Sequence, residues 1–168
     1  MELISYHRRN GIQCKCRALT PMHLACQNGH KQVVEAIATM VPEWVDSSDA
    51  DNDMRTPLHV ASENGDEKIV EILVNHNAKL KAMKDGTTPI HVAVKKGCIE
   101  VVRRLLPAYP DEVNTADRKG KTPLHLAARY CEDHSNIVTE LLKRYASYVI
   151  PCTFLLEVVN ELLYVFVF

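Results

Sequence analysis

Apolar residues recur along the chain in paired clusters. Val33-Val34-x-x-Ile37, Ile69-Val70-x-x-Leu73, Val101-Val102-x-x-Leu105 and Ile137-Val138-x-x-Leu141 place their apolar positions at i, i+1 and i+4. That spacing predicts one buried stripe on a helix. Each cluster follows a short segment of fixed composition: Thr20-Pro21-Met22-His23-Leu24-Ala25, Thr56-Pro57-Leu58-His59-Val60-Ala61, Thr88-Pro89-Ile90-His91-Val92-Ala93 and Thr122-Pro123-Leu124-His125-Leu126-Ala127. A threonine hydroxyl caps a helix N-terminus, and a proline in the first helical position loses no needed hydrogen bond. In the first copy Leu24 and Ala25 are expected to face inward. Asn28-Gly29, Asn64-Gly65 and Lys96-Gly97 then supply turns, because glycine tolerates positive φ. The chain is therefore predicted to repeat a helix–turn–helix unit. In the fourth copy Cys131 replaces the glycine and two extra residues lie within 132–136.

The segments between units differ in character. The one at 43–55 carries the only tryptophan, Trp44, and then Asp46, Asp49, Asp51 and Asp53. Asp49-x-Asp51-x-Asp53 matches the start of a calcium loop, but such a loop needs glycine at its sixth position and glutamate at its twelfth. Met54 and Val60 stand there, which removes that reading. Trp44 is either a partner anchor, since tryptophan is enriched in binding hot spots, or a cover over the helix ends. The next segment is basic, with Lys79, Lys81 and Lys84 before Asp85-Gly86. In that unit Asn77 takes the left-handed cap position, which asparagine also tolerates. Pro42 stops one helix, Pro107 sits at the end of another, and Asp117 to Gly120 forms the turn of the last segment.

The threonines at 20, 56, 88 and 122 are spaced 36, 32 and 34 residues apart. A period near 33 that opens with Thr-Pro-Leu-His-x-Ala resembles the ankyrin-repeat family. The resemblance covers about 20–145. It implies an all-α solenoid of helix–turn–helix units joined by hairpin fingers, with repeats at about 20–55, 56–87, 88–121 and 122–146, after a degenerate N-terminal lead-in at 1–19. It also implies that the histidine rings bond the backbone of the adjacent hairpin and are structural. Partners of such proteins dock on fingertips and on the concave face of the first helices. By motif position that face offers Gln27, Glu63, Lys95 and Arg129, one per repeat, with Arg55, Thr87 and Lys121 beside the fingertips. The candidate partner-binding residues are thus Trp44, Arg55, Glu63, Thr87, Lys95, Lys121, Arg129 and Tyr130. The row runs neutral, acidic, basic, basic, a gradient that gives specificity and steering more than raw affinity.

Composition adds little field. The 168 residues carry a net charge of −1, so no bulk charge recruits nucleic acid or an anionic membrane. Six cysteines read as reduced thiols of an intracellular protein, because stacked repeats need no staple. Cys14-Lys15-Cys16 lacks a second pair of ligands at zinc spacing. The glycines occupy repeat positions apart from Gly11, which leaves no phosphate loop, and no Gly-x-Ser-x-Gly nucleophile motif occurs. Neither enzyme activity nor a cofactor or metal is expected.

The tail at 147–168 is strongly apolar. Thirteen Leu, Ile, Val and Phe residues lie between Val149 and Phe168. Their insertion into a bilayer gains about 4 to 8 kcal/mol, while Glu157 and Glu161 return about 5 to 7 kcal/mol if they cost what aspartate does. The near cancellation favours a helical half-repeat that caps the stack over a membrane span. The expected role is a cytoplasmic protein–protein interaction module. The alternative is the cytoplasmic repeat segment of a membrane protein such as a TRP-type cation channel, with this chain a fragment of it.

Overall fold

The computed structural model describes residues 19–49, 53–130 and 135–147. Among these, eight α-helices form four antiparallel pairs. They are α1 (Pro21–Gln27) with α2 (Lys31–Met40), α3 (Pro57–Asn64) with α4 (Glu67–Asn75), α5 (Pro89–Lys95) with α6 (Ile99–Ala108), and α7 (Pro123–Tyr130) with α8 (Ser135–Ser147). First helices stack in the row α1, α3, α5, α7, and second helices in the row α2, α4, α6, α8. The result is an all-α solenoid whose core runs between the two rows.

The same slot of each motif fills that core. Met22, Leu58, Ile90 and Leu124 are buried in the first helices, and Val34, Val70 and Val102 in the second. The turns form as their residues require: Gly29, Gly65 and Gly97 have φ near +70°, and Asn77 adopts φ 59°. Asp66 caps α4 by accepting the backbone N–H of Ile69 at 3.3 Å. The helix α6 runs through Pro107 to Ala108, one residue beyond the expected stop.

Two positions expected to face inward do not. Leu24 and Val33 are each 47% exposed. Their counterparts Val60 and Ile69 are buried, whereas Val92 and Leu126, in the same slot as Leu24, are half-buried. The slot of Leu24 thus lies toward the open side of the first helices, and among the described residues no helix precedes α1 and α2. Met22, Ala25, Val34 and Ala38 form the buried face instead.

Unequal spacing also has a local cause. A 3-10 turn follows α2 at Pro42–Trp44 and α6 at Pro110–Glu112, and each leads to a buried valine, Val45 or Val113. After α4 the left-handed Asn77 makes that reversal in fewer residues and delivers Ala78 to the equivalent buried place. This shortens the second interval. Trp44 lies in the first 3-10 turn, half-buried against the core, and its carbonyl accepts the Ser47 hydroxyl at 2.7 Å. The apolar tail beyond Ser147, the insertion at 131–134 and the lead-in before Leu19 lie outside the described residues.

Candidate partner-binding groove

The motif histidines His23, His59 and His91 tie the first three first helices to the fingers that follow them. The backbone N–H of Thr56 donates to His59 Nδ1 at 3.2 Å, and the Thr56 hydroxyl lies 2.8 Å from the same atom. On the other side of the ring His59 Nε2 lies 3.1 Å from the Thr87 carbonyl. A carbonyl only accepts, so Nε2 carries the hydrogen, Nδ1 is bare, and the threonine hydroxyl donates to it. The hydroxyl therefore serves the ring first. Its contact to the helix backbone is longer, 3.4 Å in the last repeat. His23 binds the Arg55 carbonyl at 3.0 Å and His91 the Lys121 carbonyl at 3.0 Å in the same way. All three rings are held neutral. Burial pushes His59 down to about 4 from its ordinary 6.5, and lowers His23 and His91 as well.

The residues so pinned are Arg55, Thr87 and Lys121, the ones that immediately precede the next motif threonine. Their main chains are fixed by the histidines. Their side chains line a groove of about 400 Å³ between the fingers and the first helices. Adjacent fingers are tied by single backbone bonds, Lys84 N–H to the Asp53 carbonyl and Arg118 N–H to the Asp85 carbonyl, each 2.9 Å. Seven of the eight sequence-selected residues line this groove: Arg55, Glu63, Thr87, Lys95, Lys121, Arg129 and Tyr130. Trp44 does not; it sits at the end of α2, and Gln27 is exposed outside the groove.

The charges of the groove fall into two groups. Glu63 is engaged inside the chain, paired with Arg55 and, at 3.1 Å, with Lys96. Its partial burial opposes ionisation, but the Lys96 bond and the charges of Lys96 and Arg55 prevail and hold its carboxyl below the usual range. Asp85 accepts the Thr87 N–H at 2.8 Å, and Asp117 accepts those of Lys119 and Lys121, each at 2.8 Å. By contrast Lys95, Lys119, Lys121 and Arg129 form no ion pair with any described residue. Arg129 lies 5.6 Å from the ring centre of Tyr130, a cation–π distance. Tyr130 itself is 47% exposed. Val92 and Leu126 give the groove an apolar floor. Their signal was present in the sequence, since they fill the variable slot of Thr-Pro-Leu-His-x-Ala on the open side of the first helix.

A family model of ankyrin repeats in three copies matches residues 1–84 and 77–151. The chain belongs to the ankyrin-repeat family. The match begins at residue 1 and so takes in the N-terminal lead-in. The chain is similar to inversin from dog, 29% identical over 88% of this chain and 14% of inversin. Human transient receptor potential cation channel subfamily A member 1 is 33% identical over 60% of the chain and 9% of the channel. Mouse protein phosphatase 1 regulatory subunit 12A is 40% identical over 36% of the chain and 6% of that subunit. The chain thus spans a small part of each of these longer proteins. Ankyrin repeats are protein-interaction modules, and the likeness extends over the repeats themselves. Among the described residues no helix is long and apolar enough to cross a membrane.

Proposed function

We propose that this protein is a non-enzymatic protein–protein interaction module, an intracellular adaptor, scaffold or inhibitor, that holds its partner in the groove between the fingers and the first helices of the second to fourth repeats. One observation carries this reading: the side chains that differ between repeats converge on that groove, while the invariant histidines are engaged in the scaffold. A groove walled by pinned main chains is pre-organised, which lowers the entropic cost of binding. The test is affinity capture from native cytosol with the parent chain and with a Lys95→Glu, Arg129→Glu double variant. Loss of specific partners in the variant supports the groove. Retention of every partner would place binding on another face.

Similarity to the cation channel favours a second reading, a cytoplasmic repeat segment of a membrane protein. Fractionation of the native product, with and without 147–168, separates the two. Membrane association that depends on 147–168 supports the second reading, and a fully soluble native product refutes it.

A further inference from the structure

The surface cations are not treated alike on the two faces of the solenoid. On the second-helix face Lys31 pairs with Asp66, Lys68 with Glu71, Arg103 with Glu100, Arg104 with Glu67 and Glu71, and Lys143 with Glu140. On the groove face Lys95, Lys119, Lys121 and Arg129 have no carboxylate partner among the described residues. The acids nearest to them are engaged: Glu63 with Arg55 and Lys96, Asp85 and Asp117 with backbone N–H groups of their own fingers. In a chain of net charge −1, four cations with no carboxylate partner among the described residues gather around one groove and make it locally positive.

We infer that the groove takes an extended acidic polypeptide segment, with glutamate or aspartate side chains set against Lys95, Lys119, Lys121 and Arg129 and an apolar residue seated on Val92 and Leu126. This rests on the interaction-module reading above and adds the chemistry of the partner. A protein partner fits better than nucleic acid. Nucleic acid needs a continuous track of cations along its phosphates, whereas here the cations are confined to one groove.

The experiment is fluorescence anisotropy on the full chain. The probe is a short labelled peptide in which glutamates flank a single leucine. Controls are a lysine-for-glutamate peptide and a single-stranded oligonucleotide. The glutamate peptide is expected to bind, the lysine peptide not to bind, and added salt to weaken binding because the charges are exposed. The Lys95→Glu, Arg129→Glu variant, with circular dichroism confirming its fold, is expected to lose about tenfold or more in affinity. Lys68→Glu, on the opposite face, is expected to leave affinity unchanged. Equal binding by the parent and the double variant, or no binding of the glutamate peptide, overturns the inference. So does tighter binding of the oligonucleotide. If captured native partners depend on Lys95 and Arg129 but the glutamate peptide does not displace them, the interaction-module reading stands and only the acidic-partner inference falls.

Discussion

The most exposed consequence of the histidine ladder is its behaviour in mild acid. His59 sits between a donor and an acceptor that together demand one neutral tautomer. The Thr56 N–H faces Nδ1 and the Thr87 carbonyl faces Nε2. Protonating Nδ1 would set one N–H against another inside the stack. Burial is the main reason the ring resists protonation, helped by the positive charge of Arg55 and by His23, and opposed by the Thr87 carbonyl and Asp85. The folded ring titrates at about 4 against 6.5 when unfolded. A depressed histidine binds fewer protons in the folded state, so its stabilising effect is full above 6.5 and is lost as pH falls from there toward 4. With about 1.4 kcal/mol per unit, the loss from His59 alone between about pH 7.5 and pH 5 is about 2 kcal/mol. His23 and His91 shift the same way and add to it. The depressed carboxylates Glu63 and Asp85 also weaken the fold in acid, but only as pH falls through and below the ordinary carboxylate range. The window just below 6.5 therefore belongs to the histidines.

Equilibrium urea unfolding across that window measures it, with His59→Gln as the comparison. Glutamine retains a donor for the Thr87 carbonyl and cannot titrate. The variant should be less stable at neutral pH and should show a visibly shallower fall toward pH 5. Parallel curves for the parent and His59→Gln would refute the assignment of a buried neutral ring to His59.

Three further outcomes follow from local geometry. Gly86 and Gly120 share φ values of +83° and +74°, but a Cβ on Gly86 would meet the Arg118 backbone nitrogen at 2.7 Å while one on Gly120 meets nothing within 4 Å. Gly120→Ala should cost about 1 kcal/mol of left-handed strain and Gly86→Ala that amount plus about 1 to 3 kcal/mol of overpacking; equal denaturation midpoints would contradict the finger-to-finger contact. Met54 occupies the corresponding turn position with φ 65° and is largely exposed, so Met54→Gly should raise stability by about 1 kcal/mol in thermal melts. The Ser62 hydroxyl is buried with no hydrogen-bond partner among the described residues, and Cys26, Val94 and Ala128 fill its slot in the other repeats. Ser62→Ala should therefore stabilise by about 1 kcal/mol in urea titration, and a loss of stability would mean that the hydroxyl has a bound partner such as water.

The repeat was legible because its residues answer to local rules. Threonine then proline starts a helix, glycine takes a left-handed turn, and apolar pairs at i, i+1 and i+4 set the stripe, each within a few positions of sequence. The exposure of Leu24 and Val33 was not legible, because their own helix does not decide it: in the slot of Leu24, Val60 is buried and Val92 half-buried. The pairing of Glu63 was missed for a related reason. Motif alignment sets Glu63 beside Lys95, but the stack brings Glu63 to Lys96 and to Arg55. That one-residue offset leaves Lys95 without an ion pair among the described residues and turns a row read as neutral, acidic, basic, basic into a cationic groove. Trp44 drew notice by its rarity, and rarity says nothing about direction: its 3-10 turn lays it on the core, away from the groove.

Division of labour within the finger explains how one scaffold can host different surfaces. The histidine bonds go to carbonyl oxygens, so they do not depend on which side chain Arg55, Thr87 or Lys121 carries. The position before each motif threonine can change its side chain without losing the bond that fixes its backbone. On the proposed reading, stability resides in Thr56, His59 and their copies, and recognition in residues whose main chains those copies hold still. The same reasoning accounts for the charge asymmetry. Some cations on the second-helix face pair across neighbouring repeats, as Arg104 does with Glu67 and Glu71, and others within their own helix, as Lys68 does with Glu71. In the groove Arg55 and Lys96 pair with Glu63, whereas Lys95, Lys119, Lys121 and Arg129 have no carboxylate partner among the described residues, and their fields extend into the space where a partner would lie.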